Sequence, residues 1–133
     1  MVSGNNELKN NKESKVWLGE DGIIHIEMGG IINEKILELL KENFLEAAKK
    51  LSTKPKVLAV LGSVPHAPSS LFRRKTLEVV KEVLKNPGFE KIAICGGGAI
   101  QRISALFIIT ASGLKNIKYF KTEEEALKWL KED

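Results

Sequence analysis

Apolar residues along this chain follow two different periods. Short runs, either alternating or apolar throughout, occur at Lys15 to Leu18, Ile23 to Met28, Lys56 to Leu61, Lys91 to Cys95 and Ile117 to Phe120, and these read as strands. Between them lie longer segments in which apolar residues recur at three and four, the spacing of one buried helical stripe. The first is capped by Asn33 and runs to about Leu51, with Ile36, Leu37, Leu40, Phe44, Leu45, Ala48 and Leu51 inward. The second runs from about Ser69 to Lys85 with Phe72, Leu77, Val80, Val83 and Leu84 as its core face, and Asn86-Pro87-Gly88 stops it. A third spans Ala99 to about Ser112 and is closed by Gly113 in the left-handed conformation. The last opens at Thr122-Glu123-Glu124-Glu125, a capping box, and turns Ala126, Leu127, Trp129 and Leu130 inward.

The order of these elements sets the fold class. Gly19-Glu20-Asp21-Gly22 carries the Asp-Gly pair of a tight hairpin, so the first two strands pair antiparallel near a sheet edge. Helix and strand alternate from there on, and each crossover places parallel neighbours with a right-handed turn. The expected fold is α/β, a mixed sheet of about five strands with helices packed on it. Residues 1–14 are polar and without period, and read as a flexible tail. Residues 15–133 form a single domain.

Composition narrows the function classes. A chain of 133 residues, 43% hydrophobic and 29% charged, builds one core of ordinary soluble type. The net charge of +4 comes from 21 basic and 17 acidic residues scattered as mixed-sign helix faces. No basic block is interleaved with aromatics, so nucleic acid is not the expected partner. One cysteine excludes an internal disulfide and fits a reducing compartment. No cleavable leader is recognisable, and no apolar run reaches the roughly 18 residues of a spanning helix, so the expectation is a cytoplasmic protein without a transmembrane segment.

Candidate chemistry concentrates between Lys56 and Lys75. Gly62, Pro65 and Pro68 forbid regular structure after the central strand, and Ser69 or Ser70 can cap the helix that follows. Hydroxyls are thereby displayed at the carboxyl edge of the sheet, where α/β folds meet ligands and partners. Ser63, His66, Ser69 and Ser70 share this loop, but no Asp or Glu occurs from Val57 to Thr76 to orient a catalytic histidine, so no catalytic residue is assigned. Gly96-Gly97-Gly98 is either a tight packing turn or an anion cradle with Arg102 in reach. It lacks the Walker Lys-Ser/Thr, and Gln101 stands where a dinucleotide motif needs its third glycine. Cys95 reads as a small core residue. One cysteine and two separated histidines support no metal site, and no cofactor is implied. The third helix is apolar nearly all the way round, through Ile103, Ala105, Leu106, Phe107, Ile108, Ile109 and Ala111. Such a helix is either covered on both sides, or one side lines a ligand cavity, a homodimer contact or a membrane-surface contact. Leu71 and Phe72 can extend that patch.

Four features, taken together and in order, point to a family. They are the hairpin DGIIHIEM, the stretch KVLAVLGSVPHAPSSLFRRK, the strand KIAIC and the ending IKYFKTEEEALKWLK. From Val16 to Lys131 the chain resembles the SpoIIAA-like group of STAS domains, the sulfate transporter and anti-sigma factor antagonist fold. That resemblance implies a non-enzymatic regulatory module that binds a protein partner, of anti-sigma type or another regulator, around residues 62–74. In better-known members a serine within an Asp-Ser-Ser-Gly motif is phosphorylated to switch binding off. Pro68-Ser69-Ser70-Leu71 stands in that place, with Pro68 for the Asp and Leu71 for the glycine. A phosphate there would add about −2 charge beside a helix start and near Arg73, Arg74 and Lys75. Because SpoIIAA-like domains are similar in shape to Sec14-type carriers, the alternative function is binding of a small apolar, lipid-like ligand.

Overall fold

The computed structural model describes residues 14–29, 34–62, 70–85 and 88–132, and within α2 it leaves the side chains of Ser70, Phe72 and Leu84 undescribed. In chain order the elements are β1 (Lys15–Leu18), β2 (Ile23–Met28), α1 (Glu34–Lys49), β3 (Lys56–Leu61), α2 (Ser70–Lys85), β4 (Lys91–Gly96), α3 (Ala99–Ser112), β5 (Ile117–Phe120) and α4 (Glu123–Lys131). They form the expected mixed sheet of five strands. Its spatial order is β1-β2-β3-β4-β5, antiparallel between β1 and β2 and parallel elsewhere.

The hairpin closes as its turn chemistry requires. Gly22 takes φ 79°, the Gly19 N–H donates to the Ile23 carbonyl at 2.9 Å, and the Ile23 N–H donates to Asp21 Oδ1 at 3.0 Å. Burial alone would raise the Asp21 pKa, but the bonds from the Ile23 N–H and from His25 outweigh it and hold the carboxyl below its usual value. Ser14, assigned to the tail on its polarity, is tied to the sheet because its Oγ accepts the Gly29 N–H at 3.0 Å.

Parallel register sorts the strand residues onto two faces. Ile24, Val57, Ile92 and Ile117 lie in one row on the first face. There Ile24 and Val57 meet Phe44, Ala47 and Ala48 of α1, with Val16, Leu18, Ile26, Val83 and Ile92 around them. Each successive parallel strand is added on the same side of the last, so right-handed crossovers lay α1, α2 and α3 all on this face. The second face is left to α4. Ala126 and Leu130 are fully buried against Ile23, Leu58, Ala93 and Cys95, with Phe120, Leu127 and Trp129 around them.

Both ends of α4 are secured. Thr122 Oγ1 accepts the Glu125 N–H at 3.1 Å, the N-cap bond expected of the Thr-x-x-Glu pattern. At the other end Lys91 Nζ donates to the carbonyls of Trp129 and Glu132 at 2.9 and 2.8 Å, while lying 4.9 Å from the centre of the Trp129 ring. A cation on the last carbonyls of a helix satisfies both their lone pairs and the dipole. Leu130→Ala therefore removes a fully buried side chain from the helix that covers this face. The variant is expected to lose about 2–5 kcal/mol in urea unfolding, whereas the exposed Lys131→Ala stays within about 0.5 kcal/mol.

Candidate functional site

Strands β2, β3 and β4 end side by side, with Met28, Leu61 and Gly96 in one register row. At these ends the backbones almost touch. A Cβ on Gly62 would lie 2.7 Å from the Met28 carbonyl oxygen, and one on Gly96, whose φ is 85°, would lie 2.8 Å from the carbonyl oxygen of Leu61. Glycine is required at both positions, since a side chain would meet fixed backbone. Gly97 also has positive φ, at 75°, and sits over Gln101.

The triple-glycine turn is held by two side chains that its motif does not announce. Tyr119, next door on β5, donates its hydroxyl proton to the Gly96 carbonyl at 2.7 Å. The Gly98 N–H donates to Gln101 Oε1 at 2.9 Å. Gln101, the residue that breaks the dinucleotide spacing, thus takes the donor that an anion at Gly98 would need. The glutamine was findable, since Gln three residues after a helix cap reaches back to the cap N–H. The tyrosine carried no local signal. Its partner is 23 residues away in the chain.

Of the residues proposed from the sequence, Ser63, His66 and Ser69 lie outside the described residues. Ser70 is the first residue of α2, and Leu71 and Arg74 just after it are exposed. Arg73, half-buried, places its guanidinium 5.7 Å from the centre of the Phe107 ring on α3. Lys75 pairs with Glu34 at 2.6 Å and Lys41 with Glu82 at 2.9 Å, joining α2 to α1. Arg102 is exposed on α3. Leu71 and Arg73 are two residues apart and point to different sides of α2, so the contact between Arg73 and Phe107 does not bring Leu71 to α3.

Of the two arrangements left open for α3, cover on both sides is not the one found. Ala105 alone is buried on this helix, while Ile103, Leu106 and Phe107 keep 65%, 40% and 48% of their surface exposed. The helix order explains why. With three crossover helices side by side on one face, α3 packs on β4, β5 and α2 and has no neighbouring crossover helix on its far side. Its apolar composition cannot reveal which side lacks a cover.

Two further groups have structural roles here. Cys95 is buried under α4, and burial, then the negative charge of Glu123, pushes its thiol up to about 11. His25 stacks on Trp17 with ring centres 5.2 Å apart, and its Nε2 lies 3.2 Å from Asp21 Oδ2, bracing the hairpin. Among the described residues no three His, Cys, Asp or Glu side chains cluster as a metal site, and no helix is long and apolar enough to cross a membrane.

A family model described as SpoIIAA-like matches residues 23–131. The chain belongs to that family. The match begins at the first residue of β2 and ends at the last of α4, so the parallel strands and the four described helices lie inside the family's bounds. No curated protein and no solved structure matches the chain.

Two outcomes follow from this geometry. Gly96→Ala is expected to cost about 3 kcal/mol or more, because left-handed strain adds to a backbone clash. Gly22→Ala, at φ 79° with nothing within 4 Å of the added carbon, should cost only about 1–2 kcal/mol. Urea midpoints compare the two. For Cys95, folded protein at pH 8 should resist a thiol-specific chromogenic disulfide for as long as the fold persists, and react with it fully in denaturant.

Proposed function

We propose that this SpoIIAA-like protein is a non-enzymatic regulatory module that binds a protein partner through Gly62 to Arg74 and the adjoining side of α3. A serine at positions 69 or 70 is its switch. The observation that carries this reading is an exposed apolar helix side, Ile103, Leu106 and Phe107, meeting the arginine-bearing start of α2 at the carboxyl edge of the sheet. Monomeric surfaces keep contiguous apolar area small unless something docks there. Membership of a family of anti-sigma factor antagonist type supports the same conclusion.

The switch has a physical basis. Ser70 opens α2, so a phosphate on it stands at the positive end of the helix dipole, one turn from Arg73 and Arg74. The fold tolerates it. The partner, however, meets a surface whose sign has reversed, gaining about −2 charge. With a partner isolated on wild-type protein, Ser70→Glu is expected to weaken binding at least tenfold, equivalent to about 1.4 kcal/mol. Ser70→Ala should bind normally, and both variants should unfold at the wild-type urea midpoint. Equal affinity for all three forms would remove the switch.

A second reading is a carrier of a small apolar ligand, favoured by one observation. Ile26, Leu61 and Ile94, on the sheet face that carries α1 to α3, are only half-buried, and α2 rests along its sides on α1 and α3. Native mass spectrometry of freshly purified protein decides it, because a carrier retains a lipid adduct that organic extraction removes.

A further inference from the structure

The exposed side of α3 has an order that its apolar composition hides. Ala99, Ile103, Leu106 and Thr110 succeed one another at four, three and four residues, and all four are exposed. This is the row by which one helix packs into the groove of another. Arg102 flanks the row on one side. On the other is Phe107, with the Arg73 guanidinium over its ring. From Lys91 to Thr122 the chain contains no Asp or Glu, so α3 and its flanking loops supply only positive charge, at Arg102 and Lys115 nearest the row.

We infer that this side of α3 receives an acidic amphipathic helix of the partner. Its apolar stripe seats on Ile103, Leu106 and Phe107, and its carboxylates face Arg102 and Lys115. The inference rests on the partner-binding reading above and names the chemistry of that partner. Helix-in-groove recognition uses anchors at this spacing. The exposed guanidinium of Arg102 suits carboxylates, which it can hold through two parallel hydrogen bonds. A second copy of the chain fits poorly, because two α3 helices laid together bring arginine to arginine without a carboxylate between them. A lipid surface fits less well too. The Arg73 guanidinium stands over the Phe107 ring, 5.7 Å from its centre, whereas a helix lying in a membrane interface sinks an uninterrupted apolar face below its cations.

The test uses two synthetic amphipathic helices with the same leucine stripe, one flanked by glutamates and one by lysines, titrated by fluorescence anisotropy. Wild-type protein should bind the glutamate helix at least tenfold more tightly than the lysine helix, and the preference should shrink as salt is raised. Arg102→Glu should abolish or reverse the preference. Ile103→Ser and Leu106→Ser, both at exposed positions, should weaken the glutamate helix about tenfold with unchanged unfolding midpoints. Equal binding of both helices, or binding of neither, overturns the inference. So does binding to phosphatidylcholine vesicles containing phosphatidylglycerol that Ile103→Ser abolishes, or a sedimenting dimer that Ile103→Ser dissociates. A photoreactive residue at position 74 separates the two levels of failure. A protein adduct there, with neither helix bound, removes only the acidic helix and leaves the partner-binding reading standing.

Discussion

Right-handed crossover is the constraint from which the rest of this structure follows. Four parallel strands are laid down in chain order across the sheet, so every connection turns the same way and every crossover helix lands on the same face. The opposite face then depends on what the chain does after its last strand. A nine-residue helix answers for it, burying Ala126 and Leu130 completely against β2, β3 and β4. That helix is too short to be stable alone in water, so its end bonds, from Thr122 and Lys91, are part of what keeps the sheet covered. At the β1 end Trp17 remains 41% exposed, shielded on one side by its stack with His25.

The same constraint builds the candidate site. Parallel strands all end at one edge, and there Gly62 lies so close to the end of β2, and Gly96 to the end of β3, that glycine is needed at both. Both α2 and α3 follow strands that end at this edge of the sheet. Tyr119 and Gln101 then hold the triple-glycine turn from either side. The glycines therefore serve the placement of helices, and the surface that results is made by the helices themselves.

Position in the row of helices decides how each apolar side is used. The crossover helix α1 spends its stripe on β1, β2 and α2. The last, α3, has the sheet and α2 on its inner sides and an open outer one, where Ile103, Leu106 and Phe107 stand beside Arg102 and Arg73. Apolar area kept at the surface of a small domain beside arginine is what the proposed docking reading rests on. Membership in the SpoIIAA-like family gives that face a regulatory setting.

Local chemistry alone determined much of this protein. The Asp-Gly turn, the Thr-x-x-Glu cap, Gly113 at φ 70° and the two hydrophobic periods each act within a few residues, so the nine elements, their order and the resemblance to SpoIIAA-like domains could be read directly. Alternation of strand and helix then implied the parallel sheet. Tertiary structure alone decided which apolar residues are covered. Ala47 of α1 lies inside the core although its stripe does not include it, and Ile103 lies outside, on a helix whose composition left its cover open. The bond from Tyr119 to Gly96 and the contact of Arg73 with Phe107 were hidden for the same reason. Periodicity records how a helix divides into sides, but what meets each side depends on segments distant in the chain, brought there by the direction in which the sheet is wound.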